Sequence, residues 1–171
     1  LQAVKELLNQ SQEDFKTRYD YSNIVGRSPA IRSVLRVLDR ITETDINVLI
    51  EGESGTGKEL IARAIHANGP RKGEAFVSEN CGAIPETLLE SSLFGHTKGA
   101  FTGATSDRKG LFELANKGTL MLDEVGEMSP SMQVKLLRAL ENGEVRRVGG
   151  STSQLVDVRI IAATNRNLAE E

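Results

Sequence analysis

Leu1, Val4, Leu7, Leu8 and Phe15 lie at helical spacing among polar neighbours, as on one face of an amphipathic helix. Such a helix either leads in from an upstream domain or packs on this one, and the pattern suits both. Arg18 to Asn23 is polar and predicts irregular chain. Pro29 then fits the first turn of a helix that carries Ile31, Val34, Leu35 and Leu38 on one face. From there the period alternates between that of strands and that of helices. Strands are predicted at 46–50, 75–78, 119–123 and 156–163, with a short β-like piece at 144–148. Between them lie helix 58–67, a helix opened by Pro85 that carries Leu88, Leu89 and Leu93, and one or two helical turns around Leu111, Phe112 and Leu114. Ser129-Pro130 opens a helix over 130–141 with Val134, Leu137 and Leu140 turned inward. A glycine-rich stretch, 95–104, interrupts the series, and no repeat or low-complexity tract is present. This βα alternation predicts an α/β fold: an open, mostly parallel sheet with helices on both faces.

Composition narrows the picture. A length of 171 residues suits one domain or most of one, and 39% apolar content can build a core. With no Trp and 4% aromatic residues, that core is aliphatic. A formal charge of −3 argues against broad electrostatic binding to nucleic acid by this segment. The lone Cys81 permits no internal disulfide, which suits the cytoplasm. No apolar run approaches the roughly 18 residues of a membrane span, and no signal peptide opens the chain. The chain starts at Leu1 and stops at Glu170-Glu171, so it is expected to be a part of a longer protein.

Chemistry concentrates after the first predicted strand. Residues 52–59 read Gly-Glu-Ser-Gly-Thr-Gly-Lys-Glu, between an apolar strand and a helix. Glycines let the backbone turn tightly, so that successive N–H groups face an anion, and the helix adds its positive end. Lys58 supplies a mobile charge for outer phosphates. A glycine-rich helix cap is the bland alternative, which the flanking strand and helix disfavour. The general phosphate loop ends in Lys followed by a hydroxyl residue that binds magnesium, whereas Glu59 follows Lys58 here. Magnesium must then lean on another acidic residue and on water.

Thr119 to Leu122 runs apolar into Asp123-Glu124. Ligand sites of parallel sheets lie at the carboxyl ends of strands, where the phosphate loop also sits. Asp123 is the candidate for metal contact and Glu124 for polarising a water. Ile160 to Ala163 repeats the logic and ends in Thr164-Asn165, a pair that elsewhere is often only a turn. Gly99-Ala100-Phe101-Thr102-Gly103-Ala104 sets an aromatic and a hydroxyl among small residues. The stretch either presents Phe101 to a partner or tucks that ring back onto the core.

With these motifs in order, GESGTGKE at 52–59, GAFTGA at 99–104, GTLMLDE at 118–124 and ATN at 163–165, the chain resembles the central ATPase domain of sigma-54-dependent transcriptional activators. These are the bacterial enhancer-binding proteins of the AAA+ superfamily, and the resemblance runs from about Ile24 to Leu168. It implies a P-loop AAA+ three-layer sandwich, with residues 1–22 as a linker helix and connecting segment and 23–171 as an α/β subdomain without its helical lid. It implies ATP and Mg2+ as ligands. Gly52, Glu53, Ser54, Gly55, Thr56, Gly57, Lys58, Glu59 and Leu60 would hold the phosphates, and Ile24 and Val25 would lie against the adenine. Asp123 would serve the metal, Glu124 the attacking water, Asn80 would restrain Glu124, and Asn165 would be the first sensor. Residues 99–104 would contact sigma-54, and Arg146 to Gly150 would form a second surface loop that moves with the first. The family's loop itself ends in Lys-Glu, which accounts for Glu59.

Ser92 and Thr97 depart from the pattern, since the family usually carries an acidic residue at each position. His96, between them, is read as packing. Arginine fingers, second sensor, lid and DNA-binding helices are expected beyond this segment. The implied function is a bacterial cytoplasmic ATPase that self-associates into a ring, a hexamer or heptamer, and remodels sigma-54 RNA polymerase, with DNA contacted only through another domain. The alternative is a nucleotide-gated partner-binding module with little turnover.

Overall fold

The computed structural model describes residues 18–26 and 28–166. Four parallel strands form its central sheet: β1 (Val48–Glu51), β2 (Phe76–Asn80), β5 (Thr119–Asp123) and β8 (Arg159–Thr164), in the order β1-β8-β5-β2. Helices α1 (Pro29–Ile41) and α2 (Lys58–Asn68) cover one face. On the other lie α3 (Glu86–Phe94), the single turn α4 (Leu111–Leu114) and α5 (Pro130–Asn142). Because successive side chains on a strand point to opposite faces, the two central strands feed both cores. Leu120, Leu122 and Ile160 join Leu89, Leu93, Phe94, Phe112 and Met132, whereas Met121, Ile161 and Ala163 join Leu35, Leu38, Ala62 and Ile65. Each fully buried aliphatic side chain stabilises the fold by about 1.5–3 kcal/mol, which fixes the register of β5 and β8.

Two hairpins stand outside the sheet. One pairs β3 (Gly95–His96) with β4 (Arg108–Lys109), and the other pairs β6 (Glu144–Arg146) with β7 (Ser153–Leu155). The sequence pattern gave no sign of β3, β4 or β7, whose residues neither alternate nor run apolar. The proline-initiated helices form as expected. Ser28 Oγ accepts from Ile31 N–H at 3.2 Å, and Ser129 Oγ accepts from Met132 N–H at 3.4 Å.

The expected inward face of α5 is corrected. Val134, Leu137 and Leu140 are exposed, while Met132 and Ala139 are buried and Leu136 packs against the core. Both sets lie at helical spacing, so periodicity alone could not choose between them. On α1, Leu35 and Leu38 are buried but Val34 lies at the rim. The last strand starts at Arg159, not Val156, and β2 runs on to Asn80. The helix expected from Leu1 to Phe15 lies outside the described residues.

Along the amino-terminal edge of the sheet, arginines tie strand starts to loops. Arg159, 1% exposed, donates from Nε to the Ile46 carbonyl at 3.1 Å and from a terminal nitrogen to that of Ile41 at 3.2 Å. Arg71 donates to the Gly118 and Asp157 carbonyls and to the carboxylates of Asp45 and Asp157.

Candidate functional site

The carboxyl edge of the sheet gathers most of the candidate residues. Between β1 and α2 the chain turns through Gly52 to Gly57. Gly55 has φ +77° and Gly57 φ +89°, a left-handed backbone that side chains disfavour. A Cβ on Gly55 would meet nothing within 4 Å, so conformation, not crowding, calls for glycine there. Gly52 N–H donates to the Thr164 carbonyl at 3.1 Å, which anchors the loop to β8. Lys58 is buried, and its Nζ donates to the Gly52 and Glu53 carbonyls, each at 2.9 Å. The ammonium thereby lies inside the loop, satisfied by groups that a phosphate can replace. Thr56 Oγ1 donates to the Glu53 carbonyl at 2.8 Å and braces the turn.

A cleft of about 490 Å³ opens beside this loop, lined by Ser54, Gly55, Gly57, Lys58, Glu59, Leu60, Arg63, Asp123 and Glu124. Thus Asp123 and Glu124 meet the phosphate loop across one cavity. Asp123 Oδ1 accepts from Glu124 N–H at 2.9 Å. Glu124 is itself left-handed, φ +55° and ψ +41°, an uncommon state for a non-glycine residue. It opens a 3-10 turn, Val125–Glu127, that bends the chain off β5. Its carboxylate leans over Gly82, where an added Cβ would lie 2.3 Å from Oε2. Asn80 sits opposite Asp123 in the β2–β5 register. Its Oδ1 accepts from Gly82 N–H at 2.9 Å, so among the described residues it bonds the glycine beneath Glu124 and not Glu124 itself. Cys81 is buried next to it, and its thiol is pushed up to about 12 by burial first, with Glu79, Asp123 and Glu124 adding to the effect.

Asn165 is exposed at the end of β8, between the strands that deliver the phosphate loop and Asp123. Ile24 is half-buried against the α1–α2 core, whereas Val25 is 93% exposed, and neither lines the cleft. Arg63 is a cleft residue that the motifs did not reveal. It donates from Nε and a terminal nitrogen to Glu59 Oε1 at 3.0 and 2.7 Å and lies over the Phe76 ring at 4.8 Å. Only its position one turn after Glu59 could have signalled it.

Left-handed glycines, a buried lysine bonded only to backbone carbonyls and a helix start suit a polyphosphate. Glu59 is engaged by Arg63, and among the described residues no group of three His, Cys, Asp or Glu could hold a metal alone. A magnesium ion would therefore depend on Asp123 together with water and phosphate oxygens, the arrangement usual for this ion.

Residues 99–104 form the tip of the β3–β4 hairpin. Gly99 N–H donates to the Ala104 carbonyl at 2.8 Å, and Ala104 N–H to that of Phe101 at 3.0 Å. Phe101 takes a middle course between the two expectations: its ring meets His96 edge-on at 5.0 Å yet stays 40% exposed. His96 Nδ1 lies 2.7 Å from Ser91 Oγ, in keeping with a packing role. The loop after β6 packs directly on this tip. Thr97 N–H donates to the Val148 carbonyl at 3.0 Å, and Val148 N–H to that of Gly95 at 3.0 Å. Arg147 binds both oxygens of Glu113 at 2.7 Å, which holds that carboxyl below its usual range. Ser92 Oγ donates to Glu79 Oε2 at 2.7 Å, a link that no motif foretold.

Several known proteins are similar to this chain. The Sigma-54 interaction domain matches residues 24–171. The Nif-specific regulatory protein of Enterobacter agglomerans is 60% identical over 154 residues, 90% of this chain and 30% of that protein. That of Azotobacter vinelandii is 55% identical over 161 residues, 94% of this chain and 31% of its own length. The chain thus spans about a third of these relatives. Among solved structures, NtrX from Brucella abortus in complex with ATP superposes with a TM-score of 0.78 at 36% identity, over 98% of this chain and 35% of that one. The P-loop NTPase domain of an Escherichia coli sigma-54 activator has the same fold, with a TM-score of 0.55 at 24% identity, over 85% of this chain and 82% of that one.

Proposed function

The chain belongs to the family of sigma-54 interaction domains, P-loop NTPase domains of transcriptional activators, and on that premise we propose that it binds ATP with Mg2+ and hydrolyses it to remodel sigma-54 RNA polymerase. The observation that carries this reading is the shared cleft, in which Lys58, Asp123 and Glu124 face one another beside a left-handed glycine loop. Lys58 exchanges its two carbonyl partners for phosphate oxygens. Asp123 would hold the magnesium ion. Bound magnesium supplies charge neutralisation on the outer phosphates. Glu124 polarises the attacking water, while Asn80 fixes the Gly82 backbone that the Glu124 carboxylate overhangs. Asn165, between the two functional strands, is suited to register the terminal phosphate. Residues Gly99 to Ala104 engage sigma-54, with the 146–150 loop as their support. Neighbouring subunits complete each site in a ring, in the bacterial cytoplasm. Among the described residues no helix is long and apolar enough to cross a membrane. A module that merely binds nucleotide would need the cradle but not Glu124 in its strained position.

The test is made on the full-length protein. Lys58→Ala is expected to abolish ATP binding by calorimetry. Glu124→Gln is expected to keep ATP bound and lower turnover by about 10²-fold or more, because the amide keeps the shape and loses the charge. Hydrolysis by Glu124→Gln near the unaltered rate would place the base elsewhere.

A further inference from the structure

Glu79 is the penultimate residue of β2, one position before Asn80. On a strand its side chain points away from that of Asn80, toward α3. There Glu79 Oε2 accepts from Ser92 Oγ at 2.7 Å, with both groups partly shielded from water. Among the described residues this is the one side-chain hydrogen bond between β2 and α3. Such a bond to an ionised acceptor is stronger than a neutral one and directional. At the β2 end it is anchored beside the cleft, since Asn80 pairs with Asp123 in the strand register and Glu79 with Leu122. At the α3 end it reaches the last turn of a helix that runs straight into β3 and the 99–104 tip. The adjacent Ser91 continues the contact, with its Oγ 2.7 Å from His96 Nδ1, and the His96 ring carries Phe101. The Glu79–Ser92 bond and the Ser91–His96–Phe101 contacts, joined through the peptide bond between Ser91 and Ser92, therefore lead from the end of β2 to the exposed aromatic.

The pairing also explains why Ser92 is not acidic. A carboxylate at 92 would face Glu79 at hydrogen-bonding distance, and like charges there repel. The negative charge near this helix turn is present, but strand β2 supplies it.

We propose that Glu79 is a positioning residue that couples the nucleotide cleft to the 99–104 loop by holding Ser92. The proposal rests on the nucleotide-dependent reading above. Movement of the β2 end, when Asn80 and Asp123 respond to a phosphate, is carried into α3 by this bond and reaches Phe101 through Ser91 and His96.

The experiment uses the full-length protein with a non-hydrolysable ATP analogue, and reads hydrogen exchange of residues 97–104 with and without it. In the unaltered protein the analogue changes that exchange. Glu79→Ala and Ser92→Ala are each expected to reduce the change by at least about fivefold while analogue affinity stays within about twofold. The combined variant loses no more than either single one, because both remove the same bond. The reciprocal exchange, Glu79→Ser with Ser92→Glu, restores the response. An undiminished response in either single variant, additive losses, no rescue by the reciprocal exchange, or no response in the unaltered protein would each overturn the coupling role. Sigma-54 capture on the same samples is scored separately. If exchange responds as expected and capture fails, the partner assignment falls and the coupling by Glu79 stands.

Discussion

Glu124 combines the proposed role in polarising water with an unfavourable backbone. Its φ of +55° puts a non-glycine side chain in the left-handed region, at a cost of about 1–3 kcal/mol. Lys117, φ +71°, shares this conformation, but in a turn where its N–H donates to the Asp157 carbonyl at 2.7 Å. At Glu124 the twist lifts the carboxylate off the strand axis and over Gly82, where a side chain would collide with it. Replacing Glu124 with glycine should relieve the strain. Urea denaturation is expected to show Glu124→Gly as stable as the unaltered protein, or more so by about 1 kcal/mol, while ATP turnover is lost. A clear loss of stability would mean that the glutamate side chain supports the fold and that its conformation is not strained for function.

At the scale of elements, α5 shows where sequence patterning stops. Two apolar sets, 132/136/139 and 134/137/140, both fit a helix face, and the choice between them is made by β6 and the far side of the sheet, which periodicity does not contain. Met132→Ala should therefore cost about 2–5 kcal/mol, and the exposed Leu137→Ala no more than about 0.5 kcal/mol, by chemical denaturation. Comparable losses would restore the opposite facing. The phosphate loop, by contrast, was legible because its chemistry is local: glycine spacing, a lysine and a following helix lie within eight residues, 52–59. Asp123 and Glu124 were legible from an apolar run ending in carboxylates. Arg63, Gly82 and the Glu79–Ser92 bond were not, since each acquires its meaning from a residue on another element or another turn. The contact between the two surface loops belongs to the same class. A Cβ on Gly149 would lie 2.7 Å from Ala100 Cβ and 2.9 Å from Thr97 Oγ1, and φ there is +74°. Gly149→Ala is expected to push the loops apart at a cost of about 1–3 kcal/mol and to weaken sigma-54 capture with ATP affinity unchanged. Unaltered capture would show that the 99–104 tip works without its neighbour.

Across the whole molecule the two edges of the sheet divide the work. Lys58, Asp123, Glu124 and Asn165 sit at the carboxyl edge, and the Arg71 and Arg159 network closes the other. Arg71, with 13% of its side chain exposed, joins the loop before β1, the loop before β5 and the loop before β8. Arg71→Ala would leave two backbone carbonyls and two carboxylates without this partner, a loss of about 2–4 kcal/mol at pH 7 with ATP affinity of the folded protein unchanged. The pH dependence follows from Asp157. Arg71 first, then Lys117, holds its carboxyl below the usual range. A depressed carboxylate contributes stability that is fully present above its unfolded value, about 3.9, and is lost as pH falls through the lower folded value. Without Arg71 most of that depression goes, and the variant has less stability to lose on acidification. The gap between the two proteins, followed by urea denaturation from pH 7 downward, should therefore hold steady to about pH 4 and narrow below it toward the share carried by the carbonyls. A gap that stays constant down to pH 2 would mean that Arg71 acts through the Gly118 and Asp157 carbonyls alone, and that its ion pairs add nothing to the fold.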